Sequence, residues 1–145
     1  MSNVIPNAFK GELLSGTHNF ASGGNSFKLA LYTGSIASTY STSSTTYQTN
    51  NEVSSAGSTN YTTTGLVLQN QSVTTGATSF VDFDDLTFSS ASFSATYGAI
   101  YNDTNSDKLC VVLDFGGSKT ATNGDFKIVF PPTGTPGNAI ISITS

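Results

Sequence analysis

The sequence predicts an all-β fold: an antiparallel β-sandwich, or flattened barrel, with one short N-terminal helix and a long Ser/Thr-rich excursion. Three observations predict it. First, residues 93–130 read FSATYGAIYNDTNSDKLCVVLDFGGSKTATNGDFKIVF, three apolar runs separated by two polar stretches. Strand side chains alternate between faces, so this reads as three antiparallel strands with one side in a core. Second, serine and threonine supply about 30% of the residues, against 10% charged and 11% aromatic. Disordered chains usually combine high net charge with few aromatics. Ten Phe and six Tyr argue instead for an ordered β protein whose outer strand positions carry hydroxyls. Third, short strand-like runs alternate with turn signals, the pattern of sandwiches and barrels.

At 145 residues one domain is expected, with residues 1–25 as an N-terminal arm and helix and 34–60 as a long loop or arm. Residues 7–15 are the one plausible helix. Asn7 follows Pro6 and is placed to cap the first turn, Phe9 and Leu13 share a face, and Gly16 ends it. About nine residues are marginal alone, so this helix must pack on something.

Residues 26–33 predict a strand, with Phe27, Leu29 and Leu31 on one face and Lys28, Ala30 and Tyr32 on the other. Residues 34–60 are mostly Ser, Thr, Asn and Gly, anchored by Ile36, Tyr40, Tyr47 and Val53. A structureless loop of that length is uncommon in a compact domain. It reads as an excursion held by those anchors, or as an arm ordered by a neighbouring subunit. Residues 61–69 and 71–75 read as short strands or one bent strand. Residues 79–83 read as a strand closed by Asp82, Asp84 and Asp85, and 86–88 continue it after a bend.

The strands at 93–101 and 108–115 are joined by a tight turn at 102–107. Residues 116–124 read as a longer turn ending in Asn123-Gly124. Pro131-Pro132 stops the strand at 126–130, and 133–138 is a Pro/Gly turn. A last strand at 138–144 is placed to return along 126–130.

Composition also bounds the partners. The five basic residues are scattered lysines in a chain of net charge −4, so nucleic acid is not an expected partner. No run approaches the ~20 apolar residues of a membrane span, and the N-terminus lacks a secretory pattern. Synthesis in a cytoplasm is expected. Cys110 sits in an apolar run and reads as a small buried hydrophobe.

No catalytic motif emerges. Asp114-Phe115-Gly116 spells a kinase-like DFG without its companion motifs and reads as a strand end before a glycine turn. GGSKT at 116–120 lacks the glycine before lysine of a phosphate loop. Asp82, Asp84 and Asp85 suit a hard cation by chemistry but match no EF-hand spacing, and a solvated strand edge is favoured. His18, the one histidine, reads as a surface residue after the helix. Three N-x-S/T sequences, at Asn60, Asn70 and Asn102, are expected by chance in so hydroxyl-rich a chain. Tyr40, Tyr47 and Tyr61 are interface candidates, since tyrosine offers area with a polar tip. They serve equally as anchors of the excursion.

Six segments in succession carry a family resemblance: NAFK (7–10), NEVS (51–54), VDFDD (81–85), ATYGAIYN (95–102), VLDFG (112–116) and GDFKIVFP (124–131). On these the chain resembles a family of small virion structural proteins of tailed bacteriophages. The resemblance implies a non-enzymatic capsid decoration or cement protein on the capsid exterior. It implies binding to the major capsid protein and self-association as a homodimer or homotrimer, with no cofactor. Phe9, Leu13, Tyr40, Tyr47 and Tyr61 are then the contact candidates, on the N-terminal segment and the excursion. The alternatives are a tail, baseplate or fibre component that attaches to the host, and a hydrolase built around His18 and the Asp82–Asp85 cluster. The hydrolase is disfavoured because no nucleophile, base and orienter can be named together.

Overall fold

The structure, a computed structural model, describes residues 3–132 and 138–145. It is all-β with one short helix and two antiparallel sheets. The helix α1 covers Asn7–Leu14. Seven strands follow: β1 Phe27–Tyr32, β2 Leu66–Val67, β3 Ser72–Thr74, β4 Thr78–Asp82, β5 Leu86–Asn102, β6 Lys108–Ile128 and β7 Ile141–Thr144. The larger sheet has the order β2-β1-β5-β6, and the smaller one β3-β4-β7. Among the described residues no helix is long and apolar enough to cross a membrane.

The expected three strands of 93–130 are in fact one long hairpin. β5 and β6 run antiparallel from Leu86↔Ile128 to Asn102↔Lys108, interrupted by register shifts. Residues 116–124, read as a turn, continue β6 as a strand. Gly116-Gly117 and Asn123 supply bulges there, because the same conformations that close turns also take up extra residues inside a ladder. Between Ala95↔Lys119 and Tyr97↔Asp114 the long strand advances five residues while its partner advances two, so the hairpin bends at this point. A smaller shift, between Ile100↔Val111 and Tyr101↔Leu109, brings Cys110 and Val111 to the same core.

The last strand also departs from expectation. β7 pairs with β4, from Thr78↔Thr144 to Val81↔Ile141, and not with 126–130. The segment around Phe126 is already taken by the start of β5. The turn expected at 133–138 lies largely outside the described residues. At the helix, Asn7 is the first helical residue and Pro6 holds the cap position, so Asn7 caps nothing. Its amide donates to the Thr42 carbonyl (2.8 Å), tying the helix to the excursion.

Both faces of the larger sheet are covered. On one face Phe27, Leu29, Leu31, Ile100 and Val111 join Phe9 and Phe20 from the N-terminal segment and Val81, Phe83 and Ile141 from the region of the smaller sheet. On the other, Ala30, Tyr32, Tyr97, Tyr101 and Val112 are roofed by Ile36 and Tyr40 of the excursion. The excursion is therefore no free arm. It folds back over its own sheet, and residues 51–53 extend the β2 side of β1 through Val53 N–H to Leu31 O and Thr33 N–H to Asn51 O, both 2.9 Å.

Where the chain turns into β2, Gly65 lies against β1. A Cβ added there would stand 1.9 Å from the Leu29 carbonyl oxygen, and its φ of +76° disfavours any L side chain. Gly23 has the same φ with nothing nearby. Gly65→Ala is therefore expected to cost at least about 3 kcal/mol and Gly23→Ala about 1 kcal/mol. Urea unfolding of the two variants checks the difference; equal costs would show that the close approach to β1 contributes nothing.

Candidate functional site

The residue types of acid–base and nucleophilic chemistry meet at one place. α1 presents Glu12 inward, where its carboxylate bridges His18 (Nε2 to Oε2, 2.8 Å) and Lys108 (Nζ to Oε1, 2.7 Å). The Asn102 amide donates to His18 Nδ1 at 3.0 Å, and Cys110 Sγ lies 3.8 Å from the same nitrogen. Because Nδ1 accepts, the ring proton sits on Nε2 and is donated to Glu12. His18 is thus not the surface residue expected from its position after a helix. Its side chain is 0% exposed, packed against the rings of Phe9 and Phe20.

Cysteine, histidine and carboxylate in this order resemble a nucleophile, base and orienter. The arrangement has different consequences here. Cys110 is buried, and desolvation pushes its thiol well above the ordinary range. The nitrogen facing it is already occupied by Asn102. What the cluster does is fasten α1 to the β5–β6 turn, where Asn105 also donates to the Thr17 carbonyl. Burial alone would raise the Glu12 pKa, but hydrogen bonds from Lys108 and His18 outweigh it and hold the carboxyl below its ordinary value.

A second polar cluster is built on the tyrosines. The Tyr32 hydroxyl donates to the Gln48 carbonyl (2.7 Å) and lies 2.7 Å from the Tyr40 hydroxyl, which accepts the Gln48 amide (2.9 Å). Glu52 gathers the rest. Its carboxylate accepts from the hydroxyls of Tyr47 and Tyr61 and from the Thr64 amide. The Tyr61 hydroxyl in turn accepts the Leu31 amide at 3.0 Å, filling a gap along the edge of β1. Burial pushes Tyr40 up to about 12 and Tyr32 and Tyr61 higher still, so these phenols remain neutral donors.

Of the five contact candidates, Phe9, Tyr40 and Tyr61 are buried in the chain's own core and cannot meet a partner in this fold. Each is held because its ring fills a cover over the larger sheet. Tyr47 is half-buried, stacked on Tyr101 at 4.6 Å, and Leu13 is half-buried beside the core. The residues missed by sequence reasoning are Glu12, Glu52 and Asn102. For Glu52 a signal existed: it is the only charged residue between Lys28 and Asp82.

Of the aspartates read as a solvated edge or a cation site, Asp84 and Asp85 take separate partners. Asp84 accepts from Asn70 at 2.6 Å. Asp85 pairs with Lys127 at 3.0 Å and accepts the Phe130 amide. Among the described residues no three His, Cys, Asp or Glu side chains gather to hold a metal ion.

Several large apolar side chains lie open. Leu14 on α1 is 93% exposed and Ile143 on β7 is 64% exposed, with Ile5 and Val73 nearby along two shallow grooves of about 330 and 340 Å³. Both grooves run between the N-terminal segment and the inward face of the smaller sheet. Comparison with protein-family models, curated proteins and solved structures finds no match to the chain.

Two outcomes test these clusters. Glu52→Gln keeps one acceptor but meets the Tyr47 or Tyr61 hydroxyl with an NH₂ group, and should cost about 2 kcal/mol in chemical denaturation. Glu12→Gln should cost about 1–2 kcal/mol at pH 7 by weakening two charge-assisted bonds. Glu12 has a lowered pKa when folded, so its contribution is present above the ordinary value of 4.5 and is lost as pH falls through the folded value. The stability difference between wild type and Glu12→Gln should therefore shrink as pH drops below about 4.5 in a denaturation series.

Proposed function

We propose that the chain is a non-enzymatic virion structural protein of a tailed bacteriophage, a capsid decoration or cement protein that binds the major capsid protein. The observation that carries the reading is the ordered succession of six segments resembling that family. Those segments fall on the framework of the fold: NAFK opens α1, NEVS contains Glu52, and the other four run through β4, β5 and β6. They are the residues that build and cover the larger sheet, so the likeness concerns a scaffold, not a few surface positions.

Two structural features support it further. Glu12, His18 and Cys110 are engaged in internal ties. The surface instead offers hydroxyl-bearing strands and exposed apolar side chains, Leu14 and Ile143 among them. Adhesion needs such a body: rigid, with an apolar contact rimmed by polar groups. Phe9, Tyr40 and Tyr61, buried in the chain's own core, are accordingly withdrawn as contact residues.

The test is the location and copy number of the chain in purified particles of the phage that encodes it. Mass spectrometry and electron cryomicroscopy should find hundreds of copies on the outside of the head. A few dozen copies in the tail would transfer the protein to the attachment apparatus, and its absence from particles would overturn the reading altogether.

A further inference from the structure

The smaller sheet ends in an edge that lacks the usual protection. Exposed edges are commonly blunted by charge, proline, bulges or extreme shortness. β2 has two residues and β3 three, and β6 carries Lys119, Lys127 and its glycine bulge. β7, Ile141-Ser142-Ile143-Thr144, has no charged residue and no proline. One side of it pairs with β4, and among the described residues its other side pairs with no strand.

The side chains beside that edge are matched to an added strand. Val73, Val81 and Ile141 stand opposite one another across the sheet and share a face, and Ile143, two residues on, joins them. Val81 and Ile141 are buried in the core, while Val73 and Ile143 overhang it. The groove between β7 and α1 lies under this overhang, lined by Ile5, Leu13, Leu14 and Ile143. A strand added to β7 would set its inward-facing side chains over Ile5 and Leu14.

We propose that the occupant is β7 of a second copy, paired antiparallel about a two-fold axis, so that the two small sheets join as one of six strands. Three features favour a second copy over another partner. The added strand must alternate apolar inward and polar outward, and Ile-Ser-Ile-Thr does so. A two-fold contact sets like against like, which an uncharged surface tolerates and a charged one does not. In a chain of net charge −4, the groove beside β7 holds one charged residue, Lys10, whose Nζ is 3.3 Å from Asn7 Oδ1. The contact is small, so the dimer should dissociate on dilution through a range of ~1–100 µM. On a shell, neighbouring sites would hold copies close enough to pair. The proposal deepens the reading of a shell protein by naming a partner, but its deciding measurement is made on the isolated chain. Its failure would leave the question of the virion untouched.

Sedimentation equilibrium of the full chain should show a mass rising with concentration from 15.0 kDa toward twice that value. Ile143→Lys, at an exposed position, should weaken the dimer by about tenfold or more, because the contact would bury two like charges. Val129→Lys, exposed at the end of the β6 segment, should leave it unchanged. Far-ultraviolet circular dichroism establishes that both variants are folded. Ile143→Cys supplies a second readout, since the native Cys110 is buried. With strands ~4.8 Å apart and a rise of ~3.4 Å per residue, the two-fold registers centred on Ser142 or Ile143 bring the two thiols within about 9 Å, and a short bis-maleimide should link them. A monomer at every concentration, or a dimer indifferent to Ile143→Lys and not linked through Ile143→Cys, overturns the proposal. So does a monomer whose attachment to particles is abolished by Ile143→Lys, which would give the edge to the capsid protein.

Discussion

The constraint on which this structure turns is a sheet that is apolar on both faces. Through its central pair, β1 and β5, side chains of either parity are buried: Leu29 and Leu31 on one side, Ala30 and Tyr32 on the other. A sheet of this kind needs two covers. The chain of 145 residues makes one from α1 and the smaller sheet, and the other from a hydroxyl-rich segment with little regular structure of its own. The second cover explains the tyrosines. A loop that must roof a sheet needs side chains large enough to fill the layer and polar enough to satisfy the backbone beside them. Tyr40 does both, packing edge-on to Tyr32 and Tyr97 while its hydroxyl accepts the Gln48 amide.

Two carboxylates complete the covers in the same manner. Glu12 fastens the helical cover, and Glu52 fastens the excursion; each takes several donors onto one buried or half-buried group. Among the described residues, no buried side-chain nitrogen or oxygen lacks a hydrogen-bond partner. That completeness is a condition for a polar layer to hold one conformation, since a half-satisfied network costs more than an apolar one. It also accounts for the fate of His18 and Cys110, whose chemistry is absorbed by the ties that surround them.

The class of fold was legible because it rests on period. The alternation of β1, the helix at Phe9 and Leu13, and the apolar run around Val111 and Val112 all lie where the pattern puts them. Three features were not legible, for separable reasons. The distal half of β6 reads as a turn because its glycines and Asn123 serve bulges, and local sequence does not tell a bulge from a turn. The partner of β7 depends on which edge is free, a property of the whole sheet. Burial of His18 depends on a residue remote in sequence, Asn102, and for the tyrosines, left open between anchor and contact, partners such as Leu31 for Tyr61 decide the matter. Polar residues in such layers look like surface until their partners are known.

The order in which the covers and the hairpin occur along the chain has a kinetic consequence. The helix, β1 and the excursion leave the ribosome before any part of the hairpin they pack against. β1 meets its main partner, β5, across some seventy residues of chain, as the pairing of Leu29 with Ile100 shows. The hairpin alone can assemble from near neighbours, so the earlier half has no stable place to go until β6 is synthesised. Such a distribution of contacts slows folding. A nascent polypeptide stalled before its last third would expose Phe9, Phe20, Phe27, Leu29 and Leu31 with no sheet to bury them, recognisable to proteases and chaperones but not to a partner.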